Sequence, residues 1–218
     1  MKKIYLSPSE QPENTYAYGN TNEKAVCCEI SAYLEKALKR HGFEVMTGTS
    51  KSLGTRCSEA NKWGADLYIP VHTNAYNGKV SGTRMFCYQL NGEGYNACRA
   101  IYNVLAPITP GKSENVTAYP GLYEVKTPKA PTVYIEVDFH DVPDVAKWII
   151  EHTKEIGEAI CKGVCNHYGV AYKAEEAPKK ESGKLYRVQV GAYSEKANAE
   201  DMLAKLKKAG FEGFIKEG

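Results

Sequence analysis

An uninterrupted apolar run, Leu67-Tyr-Ile-Pro-Val71, leads straight into His72-Thr-Asn-Ala75, and this junction constrains the fold more than any other stretch. The run has the length and β-branched content of a buried strand. Strand signals recur at Lys3–Ser7, Phe43–Thr47, Gly82–Tyr88 and Thr132–Asp138, with the apolar run itself inside Asp66–His72. Helical periods separate most of them, and the alternation predicts an α/β fold. In open α/β sheets ligands gather outside the carboxyl ends of the strands, which places His72 at a crevice. For this position alone, a histidine satisfied by backbone hydrogen bonds is the competing reading, so its company has to decide.

Val26, Cys27, Ile30, Leu34, Ala37 and Leu38 recur at three and four residues and predict a first helix that stops at His41-Gly42. A second is expected over Arg56–Trp63 and a third over Gly94–Leu105, ended by Pro107. A long fourth carries Val145, Ile149, Ile156, Ile160 and Val164, with Asp141 as its expected N-cap. Between Ala106 and Pro131 the chain is too punctuated by proline and glycine for regular structure, and such a loop often shapes a substrate groove. Residues 173–184 are charged, contain Pro178 and Gly183, and have no apolar period, so they are expected to link a domain over 1–172 to a small unit over 185–218.

A net charge of +2 is too mild to argue for a nucleic-acid partner, though a slight basic bias suits an anionic polymer such as a cell wall. No window approaches the roughly 20 apolar residues of a membrane span. The N-terminus breaks after three apolar residues, far short of a signal peptide's core, so the chain is expected to be cytoplasmic until released. Seven cysteines form an odd set without a Cys-x-x-Cys pair and are expected to be reduced core residues. Cys161, Cys165 and His167 could be imagined as a zinc cluster, but both cysteines share the apolar helix face, which favours burial. His41, His152 and His167 fall on helices or helix ends and are read as structural.

Two carboxylates accompany His72. Glu23 follows a Gly19-Asn-Thr-Asn22 turn and projects from the start of the first helix, where a carboxylate is also favoured by the helix dipole alone. Glu136 lies within an apolar strand, where a carboxylate is costly to bury without a partner. Strand alternation puts Glu136, Asp138 and His140 on one face, and if that face meets the end of the His72 strand, two histidines and two carboxylates converge. Such a set suits a catalytic zinc, which takes three His or Asp/Glu ligands and keeps a position for water, with a nearby carboxylate to move the proton.

These segments, Asn22-Glu23, Arg56–Asn61, Ala65–Ala75 and Pro131-Thr-Val-Tyr-Ile-Glu136-Val-Asp-Phe-His140, resemble the zinc-dependent N-acetylmuramoyl-L-alanine amidases of the Amidase_3 type over about residues 1–170. The resemblance implies a central, mainly parallel sheet with helices on both faces. It also implies zinc on Glu23 and His72, Glu136 as the catalytic acid/base, and peptidoglycan, both glycan strand and stem peptide, as the partner cleaved between N-acetylmuramic acid and L-alanine. The family's other zinc histidine comes from a Gly-His-Gly-Gly turn, where this chain reads Leu6-Ser-Pro-Ser-Glu-Gln-Pro12. His140 is the preferred substitute, with Glu10 and Gln11 the alternatives. Two other functions stay open: a wall-binding protein that has lost catalysis with that ligand, and a zinc peptidase acting on the stem peptide. Tyr16, Tyr18, Tyr76, Tyr119 and Tyr123 fall in loops near the crevice, where aromatic faces could stack on sugar rings.

Leu185–Ser194 alternates as a strand and is followed by an amphipathic helix through Ala199, Met202, Leu203 and Leu206. The order Tyr-Arg-Val-Gln-Val-Gly-Ala-Tyr, helix, Gly-Phe resembles the first half of a SPOR domain, a glycan-binding module of two βαβ halves. About 34 residues bury little core alone, so the half module is expected to pair with another chain, to lean on the larger domain, or to be the remnant of a longer protein.

Overall fold

The computed structural model describes residues 1–112, 115–175 and 188–217, in two compact units, Met1–Glu175 and Glu176–Gly218. The larger unit is built on a six-stranded sheet in the order β2-β1-β3-β6-β4-β5. In chain order these strands are β1 (Lys3–Pro8), β2 (Glu44–Thr47), β3 (Leu67–Asn74), β4 (Arg84–Cys87), β5 (Asn115–Ala118) and β6 (Tyr134–Phe139). All neighbouring pairs run parallel except β4 with β6. The helices are α1 (Glu23–Arg40), α2 (Leu53–Trp63), α3 (Gly92–Leu105), α4 (Tyr123–Lys126), α5 (Pro143–Glu151) and α6 (Thr153–Tyr168).

Alternation along each strand sorts its side chains onto two unequal faces. Ile4, Leu6, Leu67, Ile69, Val71, Met85, Cys87, Ile135 and Val137 join one core with the apolar stripes of α1, α3, α5 and α6. The opposite face carries a much smaller apolar cluster, Tyr5 and Tyr68 against Cys57 and Ala60 of α2. Ser7, His72, Arg84 and Glu136 share that thinly covered face by the same alternation. The fold therefore spends its apolar residues on one side and leaves polar ones at the strand ends on the other.

Helix α6 approaches its neighbours through glycines. A Cβ added at Gly157 would lie 2.9 Å from the Leu34 nitrogen, and one at Gly163 would press on the Ile101 backbone and come 2.8 Å from its Cγ1. In an open helix Gly→Ala gains about 1 kcal/mol. At Gly163 the overlap is with backbone, so Gly163→Ala is expected to destabilise the domain by about 1–3 kcal/mol, read as a lower urea midpoint at unchanged m-value.

Several local expectations are corrected. The long fourth helix is two helices meeting at His152, whose ring Nδ1 is bonded to the Trp148 carbonyl at 2.7 Å in place of the helical amide bond. Asp141 does not cap α5; Val142 and Pro143 open that helix, while Asp141 Oδ2 accepts the amides of Tyr76 at 2.9 Å and Gly78 at 2.8 Å. The punctuated 106–131 segment holds β5 and α4, each only four residues long. All seven cysteines are free thiols and six are buried, but Cys28 is exposed.

In the second unit the described residues form α7 (Lys196–Lys208), with no buried side chain. Val188–Tyr193 carries no strand, since none of the described residues pairs with it; the rest of the expected strand and most of the 173–184 linker lie outside the described residues. None of the described helices is long and apolar enough to cross a membrane.

Candidate active site

The ends of β1, β3 and β6 bring the site together. The parallel register sets His72 directly beside Glu136, and the antiparallel register sets Arg84 on the other side of Glu136, so three polar residues form one rung across β3, β6 and β4. Beyond this rung the β3–β6 pairing shifts between His72 and Asn74, and that irregularity ends the ladder where the site begins.

Glu23 reaches the rung from the first turn of α1, which Asn22 caps through its side chain at 3.0 Å to the Ala25 amide. One Glu23 oxygen lies 2.9 Å from His72 Nδ1, and the other accepts from Asn14 Nδ2 at 2.7 Å. Burial works against charge on Glu23, yet the His72 and Asn14 bonds hold its carboxyl below the usual range. The His72 ring is 5% exposed and stacks on Tyr134 with centroids 4.7 Å apart. Burial likewise opposes charging of this imidazole, but Glu124 and Glu23 outweigh it and push its pKa up to about 9.

Glu136 is the unpaired member. Its Oε2 is shut off from solvent and has no hydrogen-bond partner among the described residues. Burial pushes its pKa up to about 7, against the pull of His72 and Arg84. Asp138, two residues on, is not part of the set: its Oδ1 accepts the amides of Gly82 at 2.6 Å and Phe139 at 2.7 Å.

The structure does not bring His140 into a ligand set with Glu23 and His72. Its Nδ1 is 2.9 Å from the Thr73 hydroxyl and its ring stacks on Tyr16 at 4.8 Å, so it is buried as part of a Tyr16–Thr73–His140 group. Glu10 is also turned away, bonded to Arg56 at 3.0 Å and Lys24 at 2.8 Å. Gln11 remains on the Glu23 side, because its amide oxygen and the Glu23 carboxylate share Asn14 Nδ2. Of the tyrosines expected to line a groove, Tyr18, Tyr76, Tyr119 and Tyr123 are exposed, but Tyr16 is not.

Sequence reasoning missed Glu124. This carboxylate, buried to 3% exposure, sits in the single turn of α4. Its Oε1 accepts the hydroxyls of Ser7 at 2.6 Å and Tyr68 at 2.7 Å, and its Oε2 lies 3.7 Å from His72 Nε2. Ser7 in turn accepts from Arg56, which is fully buried and also bonded to the carbonyls of Pro8 and Ser50. A charged residue between Tyr123 and Val125 in a proline-broken segment was the available signal.

Away from the site, Cys161 and Cys165 meet His41 rather than His167, with one ligand atom from each within 4.8 Å of the others. Both nitrogens of His41 are already engaged: Nδ1 lies 2.7 Å from the Ala37 carbonyl, and Nε2 accepts from the Lys173 amide at 2.8 Å. His167 faces Glu93 instead.

Residues 7–166 match the family profile described as N-acetylmuramoyl-L-alanine amidase, and residues 167–217 match the SPOR domain. The sporulation-specific N-acetylmuramoyl-L-alanine amidase of Bacillus subtilis is 24% identical over 99% of this chain and 84% of its own length. The N-acetylmuramoyl-L-alanine amidase CwlM of Bacillus licheniformis is 25% identical over 99% of this chain and 85% of its own. Among solved structures, the catalytic domain of CwlV from Bacillus (Paenibacillus) polymyxa superposes with a TM-score of 0.70 at 17% identity, covering 78% of this chain and all of that one. The CwlD amidase of Clostridioides difficile, solved with the GerS lipoprotein, gives 0.66 at 18% identity, over 78% of this chain and 99% of that one. These two likenesses establish the α/β sheet architecture.

Proposed function

The chain belongs to the N-acetylmuramoyl-L-alanine amidase family, and we propose that the site at the ends of β1, β3 and β6 hydrolyses the amide between N-acetylmuramic acid and the L-alanine of the stem peptide, with zinc as its metal. The observation that carries this reading is Glu136: a buried carboxylate oxygen without a partner, one strand away from a Glu23–His72 pair. An orphaned acid is costly to keep buried, and a reacting proton is the partner it lacks.

Among the described residues, two donors suited to zinc meet here, and no third His, Cys, Asp or Glu atom joins them in a ligand group. Glu23 and His72 offer a carboxylate oxygen and an imidazole nitrogen 2.9 Å apart, both types that zinc takes in catalytic sites. Of the candidates for a further donor, Gln11 is the one tied to Glu23 through Asn14. When bound, the ion supplies Lewis acidity that polarises the scissile carbonyl and acidifies water. Glu23, from the first turn of α1, and His72, near the end of β3, would hold it. Glu136 takes the proton from the attacking water and delivers it to the departing amine of L-alanine. Arg84, on the same rung, favours the ionised form of Glu136 that accepts the proton.

The second unit, matched by the SPOR profile, is read as the part that holds glycan. Its exposed Val188, Val190, Phe211 and Phe214 give it apolar surface for sugar faces or for a second copy. The place of action is the cell wall.

Digestion of purified peptidoglycan tests the reading. The expected product is a new α-amino group on L-alanine with no new reducing sugar end. A new amine on any other residue would identify a peptidase, and binding without any new amine would identify a wall-binding protein.

A further inference from the structure

Two groups of opposite charge stand side by side in the site without satisfying each other. Glu136 Oε2 is one, and Nε of Arg84 is the other, equally shut off from solvent and without a hydrogen-bond partner among the described residues. The register pairs the two residues directly across β6 and β4, yet the bond that would satisfy both is not made. We propose that Arg84 is a specificity-determining residue, whose guanidinium takes a free carboxylate of the stem peptide on the leaving side of the scissile amide. The inference rests on the amidase reading above and adds to it the kind of peptide the site prefers.

The place of Arg84 in the sheet gives the side. Antiparallel pairing sets its Cα about 5 Å from that of Glu136, on the flank away from His72. Glu136 delivers its proton to the departing amine, so the flank turned away from the Glu23–His72 pair is where the rest of the peptide leaves. The guanidinium carbon lies 5.4 Å from the centroid of the Phe139 ring, which places it beside the last residue of β6, past Glu136. An extended peptide advances about 3.3–3.6 Å per residue. A carboxylate one or two residues beyond the scissile amide therefore falls within reach of Arg84.

The chemistry of the orphan gives the ligand. Nε–H and one Nη–H of a guanidinium form a planar fork that matches the two oxygens of a carboxylate. A buried donor without an acceptor is costly to keep, and an anionic oxygen brought by the substrate removes that cost. Glu23, Glu124 and Glu136 make the crevice acidic, and Arg56, the other arginine here, is already spent on Ser7, Pro8 and Glu10. A substrate carboxylate that enters elsewhere meets like charge. Beside Arg84 it meets a cation whose Nε is still unmet. A carboxamide in the same position would offer one oxygen in place of two, and no charge.

Two soluble fragments test the inference: N-acetylmuramoyl-L-alanyl-D-isoglutamate and its D-isoglutamine form, which differ by a carboxylate against a carboxamide. Calorimetric dissociation constants are measured for the full chain stripped of metal, so that turnover does not intervene, and release of the dipeptide is then followed with zinc supplied. The wild type is expected to bind the carboxylate form about 10- to 100-fold more tightly. Arg84→Gln is expected to bind the two forms alike, and Arg84→Lys, which keeps the charge without the fork, to retain part of the preference. Arg84→Gln that weakens both forms by one factor overturns the inference, because that is the result if Arg84 acts only through Glu136. A wild type that binds the two forms equally, or binds neither, overturns it without any variant. Release of both forms by a wild type that does not discriminate leaves the amidase reading standing without this role for Arg84. Selective binding with release of neither form removes the amidase reading and leaves the carboxylate contact.

Discussion

Glu136→Gln is expected to lower amide hydrolysis by about 100-fold or more while zinc uptake stays near that of the wild type. The glutamine keeps the volume of a side chain whose Oε2 meets no partner among the described residues, so no hydrogen bond is broken. What disappears is the capacity to take and return a proton. Peptidoglycan turnover, scored as new L-alanine amino groups, reads the first effect, and metal per chain reads the second. Loss of metal together with activity would place Glu136 among the ligands instead.

The same substitution has a consequence for stability. Burial raises the Glu136 pKa from an ordinary 4.5 to about 7 in the folded chain. For a raised acid, the favourable contribution is complete below the unfolded value and is lost as pH climbs through the folded one. Between pH 4.5 and pH 8 the metal-free wild type is therefore expected to lose on the order of 3 kcal/mol relative to Glu136→Gln, at about 1.4 kcal/mol per unit. Urea titrations of both proteins at the two pH values give the difference directly. An enzyme made more stable by losing its acid/base is the expected sign of a carboxylate kept for chemistry.

The residues that were legible in the sequence are those whose environment is local. The apolar run of β3 announces its own burial, and the turn before α1 announces Glu23 at a helix start, because both signals lie within a few neighbours of the residue concerned. Glu136 was legible for the opposite reason, as a charge standing against the apolar pattern of β6. Glu124 and β5 were not. Each belongs to a four-residue element, too short for a helical or strand period, and each is held by partners far away in sequence: Ser7 and Tyr68 for Glu124, and β4 for β5. His140 shows the limit of alternation as a guide. The period placed it on the Glu136 face, but its backbone amide is bonded to Asn74 at 2.8 Å beyond the β3–β6 irregularity, and its ring goes to Thr73 and Tyr16. Strand parity fails as soon as the ladder shifts by a residue.

That displacement of His140 makes the two histidines separable by experiment. His72→Ala is expected to weaken zinc binding by more than about 100-fold, beyond the 10- to 100-fold typical of residues that only orient a ligand. His140→Ala is expected to shift the affinity by less than that range, because its ring is bonded to Thr73 and stacked on Tyr16 and is not in the ligand set. The physical difference is what each ring faces. His72 stands between Glu23 and Glu124, so its removal takes away a donor and also leaves two buried carboxylates without the group between them. Breaking a buried pair in this way costs about 3–5 kcal/mol, and His72→Asn, which keeps a polar side chain there, is the companion variant if His72→Ala does not fold. His140 faces a hydroxyl and a tyrosine ring, so its loss opens a hole and frees the Thr73 hydroxyl to bond Tyr16 alone. Its effect is expected on the thermal midpoint and not on metal affinity. Equal losses of zinc from the two alanine variants would restore His140 to the ligand set and require the ring to leave Thr73 when metal binds.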